Sequence, residues 1–209
     1  EALFSGTAAA MRRRGLSLLA KAWRGTDTRG AKVLDLACGS GGFLADLTAA
    51  FPRAQVMGID LSAQYLAEAR RRSGVARLAQ ANAEKLPFAD GALDAVTCVY
   101  LFHELPPKVR PVVAREIARV LKPGGVFVFV DSVQPVDEPD LERLLEAFPA
   151  YFHEPYYGTY SKLDLAGLFG KAGLRLEAED KAFLTKAMGF RSPLPRGRGP
   201  PRSGGRVRG

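Results

Sequence analysis

Apolar and polar residues along this chain follow two periods in turn. Solid apolar runs at 33–37, 55–60, 93–99 and 126–130 read as strands buried on both faces. Stretches with the helical period separate them. Residues 2–24 carry Leu3, Met11, Leu16, Leu18, Leu19, Ala22 and Trp23, and Gly25 ends that helix. Further helices are expected from 43 to about 50, over 62–72 (Tyr65, Leu66, Ala69), through 116–121, over 137–150 (Leu141, Leu144, Leu145, Phe148) and over 161–172, with Ser161 as N-cap. A short strand is expected at 76–81, and 174–176 with 182–188 read as an antiparallel pair. Strands alternating with helices predict an α/β domain around a mostly parallel sheet.

Composition narrows the class. With 209 residues and 47% apolar content, the chain suits one α/β domain with a full core. No apolar run approaches the roughly 20 residues that span a bilayer. Two cysteines and two histidines, widely spread, give no zinc pattern, so no metal is expected. Cys38 and Cys98 lie among apolar neighbours and read as buried free thiols, which points to a reducing compartment. The expected location is cytoplasmic, or an organelle such as a plastid if a targeting piece preceded Glu1. Arg12-Arg13-Arg14 fits either such a remnant or, the favoured reading, the polar side of a helix capping the active site.

Charge is unevenly divided. The formal charge is +8, but residues 191–209 hold six arginines and no acid, so the rest carries only +2. The expected organisation is an N-terminal helix or cap (1–29), a main α/β domain (30–190) with an insert at 132–160, and a disordered basic tail (191–209). That tail serves as a passive extension or as an RNA- or membrane-binding arm, with the passive role favoured.

The candidate chemistry starts at residues 32–44, KVLDLACGSGGFL. A strand runs into Gly39-Ser40-Gly41-Gly42, and a helix follows, the front of a nucleotide-binding βαβ unit. The dinucleotide spacing fails, because the third glycine position is Leu44. Asp35 sits just before the turn, where it would repel a pyrophosphate and suit an ammonium or sulfonium. Asp60 ends the second strand 21 residues beyond Gly39, where such sheets place a carboxylate against ribose hydroxyls. Its competing role is helix capping, which Ser62 can perform itself.

The glycine stretch resembles motif I of the class I S-adenosylmethionine (SAM) methyltransferases. The resemblance continues through Asn82-Ala83-Glu84-Lys85-Leu86-Pro87-Phe88, the strand end Tyr100-Leu101-Phe102-His103-Glu104-Leu105, and the Leu121-Lys122-Pro123-Gly124-Gly125 turn. It implies a Rossmann-like seven-stranded sheet in the order 3-2-1-4-5-7-6 with strand seven antiparallel. It also implies SAM as cofactor, S-adenosylhomocysteine as product, and a small-molecule acceptor. The implied cofactor residues are Asp35, Ala37, Gly39, Ser40, Gly41, Asp60, Leu61, Asn82, Ala83 and Tyr100. The family has an acid at the adenine position, whereas this chain has Asn82, whose amide oxygen still accepts from an amine; a plain turn is its other reading. The Asn/Asp-Pro-Pro-aromatic motif of amino-directed DNA methylation is missing.

One stretch stands apart. FPAYFHEPYYGTY, residues 148–160, concentrates tyrosines and one histidine over the expected ligand edge of the sheet. Tyr156, Tyr157 and Tyr160, with His103 and Glu104, are the candidate acceptor contacts. His103 and His153 are the candidate bases, with packing as the competing role of each. Alternatives left open are an RNA methyltransferase and a SAM-binding partner protein without catalysis.

Overall fold

The computed structural model describes residues 5–75 and 77–195, apart from the side chains of 5–8 and 148–152. Leu3, Ala76, the Phe148 side chain and tail residues 196–209 therefore lie outside the described residues. In chain order the elements are α1 (Ser5–Ala22), β1 (Lys32–Leu36), α2 (Gly42–Ala50), β2 (Gln55–Asp60), α3 (Ala63–Ser73), β3 (Leu78–Gln80), β4 (Leu93–Val99), α4 (Arg110–Val120) and β5 (Leu121–Ser132). A single 3-10 turn (Pro139–Leu141) follows, then α5 (Glu142–Phe152), α6 (Tyr157–Tyr160), α7 (Leu165–Lys171), β6 (Arg175–Ala182) and β7 (Thr185–Arg191).

The strands form one sheet in the order β3-β2-β1-β4-β5-β7-β6. β1 pairs in parallel with both β2 and β4, whereas β7 runs antiparallel to β5 and β6. Side chains leave a strand alternately to its two faces, and the two cores follow from that. Val33, Ala95, Val126, Val128 and Val130 meet Leu18, Leu19, Phe43, Leu44, Leu47 and Leu66 from α1, α2 and α3. On the other face Leu34, Val96, Phe127, Phe129 and Phe190 meet Val113, Ile117, Leu165 and Phe169 from α4 and α7. β1 and β4 send their next helices to opposite faces, which opens a crevice at their carboxyl ends.

α1 docks closely. A Cβ on Gly15 would sit 2.5 Å from Val130 Cγ2, so only glycine lets the helix backbone lie on β5. Ion pairs from Arg12 to Asp46 (3.1 Å) and from Arg14 to Asp180 (3.3 Å) hold its polar side. Among the described residues no helix is long and apolar enough to cross a membrane.

Several boundaries differ from expectation. β5 starts at Leu121, not Val126, because Leu121 pairs with Leu93 ahead of an irregularity in the register. The sixth strand extends to Ala182, and Phe183-Leu184 form the turn. β6 is an edge strand that exposes Glu177, Glu179 and Lys181 at least in part, so its apolar signal is weak. Arg191, expected in the tail, closes β7 opposite Val126 and Arg175, and the Ser192 amide donates to the Gly125 carbonyl (2.9 Å). The last helix is capped by Asp164, not Ser161: the Asp164 carboxylate accepts the Gly167 amide at 2.8 Å. The helix expected over 137–150 starts at Glu142, after the 3-10 turn.

Candidate functional site

The turn after β1 bends sharply enough to need left-handed backbone. Gly39 (φ 52) and Gly41 (φ 80) supply it, and Ala37 (φ 56) adopts it despite its Cβ. A non-glycine residue held there costs about 1 kcal/mol or more. Tyr100, at the end of the neighbouring β4, is held at φ 55 in the same way. Two strained residues thus flank the crevice. Gly41 also has α3 against it: its Cβ would lie 2.8 Å from Ala69 Cα.

Asp60 locks the turn. Its Oδ2 accepts the Gly39 amide at 2.9 Å and its Oδ1 accepts the Ser62 amide at 2.8 Å. Each oxygen keeps a further lone pair. Ser62 Oγ caps α3 by accepting the Tyr65 amide at 3.2 Å, as expected. These elements enclose a cavity of about 560 Å³. Asp35, Ala37, Gly39, Ser40, Asp60, Leu61, Asn82, Ala83 and Tyr100 line it. Of the expected cofactor residues only Gly41 does not, because it faces α3. Asn82 does form a turn, its Oδ1 accepting the Glu84 amide at 2.9 Å, while also lining the cavity. A second depression, at Gly25–Thr28 and Ala50–Arg53, lies at the opposite edge of the sheet and holds no reactive cluster.

Asp35 is the unusual member. It is 1% exposed, and Thr97 Oγ1 donates to its Oδ1 at 2.8 Å. Its Oδ2 is buried with no hydrogen-bond partner among the described residues. Burial pushes the carboxyl up to about 7, against the Thr97 hydrogen bond, and the Asp60 charge adds to the rise. An orphaned carboxylate oxygen on a cavity-lining residue suits a cationic ligand group, and the Asp60 lone pairs suit hydroxyl donors. The residues present thus fit SAM.

The second centre lies beside the cavity. His103 Nδ1 donates to Asp131 Oδ1 at 2.6 Å, and Asp131 is fully buried on β5. Asp131 also accepts the Phe102 amide (3.0 Å) and the Ser132 amide (2.7 Å), which fixes it. His103 Nε2 faces Glu104 at 3.9 Å and Glu154 at 4.0 Å. Burial opposes protonation of the ring, but the Asp131 charge and hydrogen bond, with Glu154 and Glu104, outweigh it and push His103 up to about 9. The rings of Tyr100, Tyr157 and Tyr160 stand 6.3, 6.3 and 6.1 Å from the imidazole. Tyr157 and Tyr160 are buried and hydrogen-bond Ser132, at its Oγ (2.7 Å) and its carbonyl (2.6 Å). They brace His103 and do not line the cavity; Tyr156 is exposed. His153 is exposed too, at φ 55, and Glu154 beside it is what reaches His103.

Residues 33–125 match the family model described as "Methyltransferase domain". The chain is 34% identical over 183 residues to the ubiquinone/menaquinone biosynthesis C-methyltransferase UbiE of Desulfotalea psychrophila, covering 78% of this chain and 73% of that one. The chain belongs to the class I SAM-dependent methyltransferases. It is also 39% identical over 125 residues to a fatty-acid O-methyltransferase of Mycolicibacterium smegmatis, covering 59% of this chain and only 45% of that enzyme. A SAM-dependent methyltransferase of Methanosarcina mazei shares the fold, with a TM-score of 0.64 at 20% identity, over 82% of this chain and 97% of that one.

Several residues of this methyltransferase's site escaped the sequence reading. Asp131 sits in an apolar strand run and gave only the signal of a lone acid in a buried strand. Arg110, 2% exposed, donates Nε to the Phe102 carbonyl (3.0 Å) and Nη2 to the Tyr156 carbonyl (2.9 Å) and Thr159 Oγ1 (3.0 Å). It ties the β4 exit to the tyrosine insert, and nothing in the local sequence marks it. Arg12, expected only as a solvated cap residue, lines the cavity.

Proposed function

We propose that this methyltransferase moves a methyl group from SAM to a small aromatic or amphipathic acceptor, with His103 as base and Asp131 as the residue that orients it. The observation that carries this reading is the His103–Asp131 pair at the carboxyl ends of β4 and β5. It adjoins Glu104, which lines the cavity. SAM supplies an electrophilic methyl on a sulfonium, whose leaving thioether is neutral and needs no protonation. The protein's task is therefore alignment, which can supply roughly 7–11 kcal/mol, and removal of the acceptor's proton. Asp131 holds Nδ1–H, so Nε2 is the nitrogen that takes that proton in the neutral ring. With His103 raised to about 9 the neutral form is the minor one near pH 7, and turnover should climb as pH rises toward 9. Glu104 and Glu154 make the ring a stronger base, and the tyrosine rings exclude water around it. Asp60 would hold the ribose, Asn82 and Ala83 the adenine, and Asp35 the methionine ammonium.

The names of the relatives, a quinone C-methyltransferase and a fatty-acid O-methyltransferase, favour a small acceptor with an apolar body. The RNA alternative leaned on the basic tail, whose residues 196–209 lie outside the described residues, and on Arg12-Arg13-Arg14, two of which are paired with Asp46 and Asp180. The test is transfer of radiolabelled methyl from SAM to a panel of quinols, phenols and fatty acids. Turnover with one class should drop about 100-fold or more in His103→Gln, while S-adenosylhomocysteine affinity holds. Full turnover in that variant would remove His103 as base. Tight S-adenosylhomocysteine binding with no turnover on any acceptor would instead favour the non-catalytic partner reading.

A further inference from the structure

We infer that Arg12, on the N-terminal helix, is the carboxylate anchor of the cofactor site, pairing with Asp35 to form a cradle for an α-amino-α-carboxylate group. The inference rests on the SAM reading above and assigns it a residue upstream of the matched segment 33–125.

Arg12 lines the same cavity as Asp35 and Gly39. Its Nε donates to Asp46 Oδ2 at 3.1 Å, and its side chain is only 20% exposed. Its two terminal nitrogens donate to no group among the described residues. The guanidinium lies on the first residue of α2: a Cβ on Gly42 would stand 3.4 Å from Arg12 Cζ. A cation beside a helix N-terminus is unfavourable, because that end of the helix is already positive. Asp46, one turn along, offsets part of this. What remains is a positive surface built from free guanidinium donors and the amide end of the nine-residue α2. Such a surface attracts an anion.

Asp35 is the independent observation. Its Oδ2 is buried without a partner, on a residue lining this cavity and close enough for the Arg12 charge to act on it. A free anionic oxygen and free cationic donors at one end of one cavity fit a zwitterion. An amino-acid end has one charge for each, and a guanidinium takes a carboxylate through two parallel hydrogen bonds. An inorganic phosphate would satisfy Arg12 and be repelled by Asp35.

The experiment compares two probes by calorimetry: S-adenosylhomocysteine, and 5′-methylthioadenosine, which lacks the amino-acid end. Arg12→Met should weaken S-adenosylhomocysteine by about 10- to 100-fold, the effect of losing a charge-assisted pair. It should leave 5′-methylthioadenosine within about twofold. Asp46→Asn, which breaks the ion pair but keeps the guanidinium, should bind both probes as wild type does. Arg12→Lys, which keeps α1 charged should Arg12→Met loosen it, should fall between wild type and Met for S-adenosylhomocysteine alone. Equal weakening of both probes by Arg12→Met would reduce Arg12 to a clamp on α1, and no weakening of either would remove it from the site. Either result overturns this inference and leaves the SAM reading intact. Failure of wild type to bind S-adenosylhomocysteine overturns both.

Discussion

Replacing Asp131 by Asn keeps the shape of the side chain and removes its charge. In the wild-type protein His103 rises from an ordinary 6.5 to about 9. At roughly 1.4 kcal/mol for each tenfold change, that is about 3 kcal/mol favouring the protonated ring. Burial works against it, and Asp131, at 2.6 Å, is the largest of the groups that win. With Asn at 131, burial meets only Glu154 and Glu104, each near 4 Å from Nε2 and partly exposed. His103 should then titrate close to the ordinary 6.5. Imidazole NMR reads this directly, because the chain has two histidines and His153→Gln assigns them. A stability consequence follows with a definite sign. A raised histidine stabilises the fold in full below 6.5 and loses that contribution as pH climbs through about 9. Wild-type urea stability should therefore fall by up to about 3 kcal/mol between those limits, and Asp131→Asn should lack the fall. A wild-type His103 titrating below 7, or the same midpoint in both proteins, would falsify the dyad.

Asp35→Asn should separate stability from binding. The carboxyl is raised to about 7, so the folded apo protein holds a proton that the unfolded chain releases near 4, and stability drops as pH rises between them. At pH 8 the Asn variant should melt higher than wild type without ligand, and calorimetry should show weaker S-adenosylhomocysteine binding. Asp60→Ala removes both anchors of the glycine turn and should lower SAM affinity by about tenfold or more; wild-type affinity there would sink the cofactor assignment. Arg110→Met removes three hydrogen bonds between the β4 exit and the insert, although both carbonyls keep other donors, and should cost about 1–3 kcal/mol in urea unfolding. Gly41→Ala adds a Cβ 2.8 Å from Ala69 Cα at φ 80, and should lower the melting temperature by several degrees, read by circular dichroism.

The sheet was legible because β1, β2, β4 and β5 are buried on both faces and so must be nearly all apolar. β6 was not, because an edge strand has one wet side and its Glu177, Glu179 and Lys181 mimic a loop. The candidate cofactor crevice was legible in part because one strand and its following turn supply eight of its lining residues within about a dozen positions. The His103 centre was not, because Asp131 and Glu154 come to it from β5 and the insert, 28 and 51 positions on. The pairing of β4 with β5 brings Asp131 to it, and the folding of the insert brings Glu154. The tyrosines illustrate the same limit. Their clustering announced a ligand-edge insert, but nothing in the spacing said that Tyr157 and Tyr160 would turn inward to Ser132 rather than toward a ligand.

The docking of α1 on β5 and β7 has a consequence for how the protein comes off the ribosome. The helix is made early, yet its floor is made late: the Arg191 guanidinium that reaches the Ala22 carbonyl lies 169 residues further on. Until β7 is synthesised and inserted between β5 and β6, the face carrying Leu18, Leu19 and Trp23 has only part of its partner surface. Such long-range closure is slow and leaves apolar surface uncovered during synthesis. A chaperone would find its natural grip on that helix. α2 and β5 offer the helix a first resting place, and the contacts to Ala187 and Arg191 complete it only at the end.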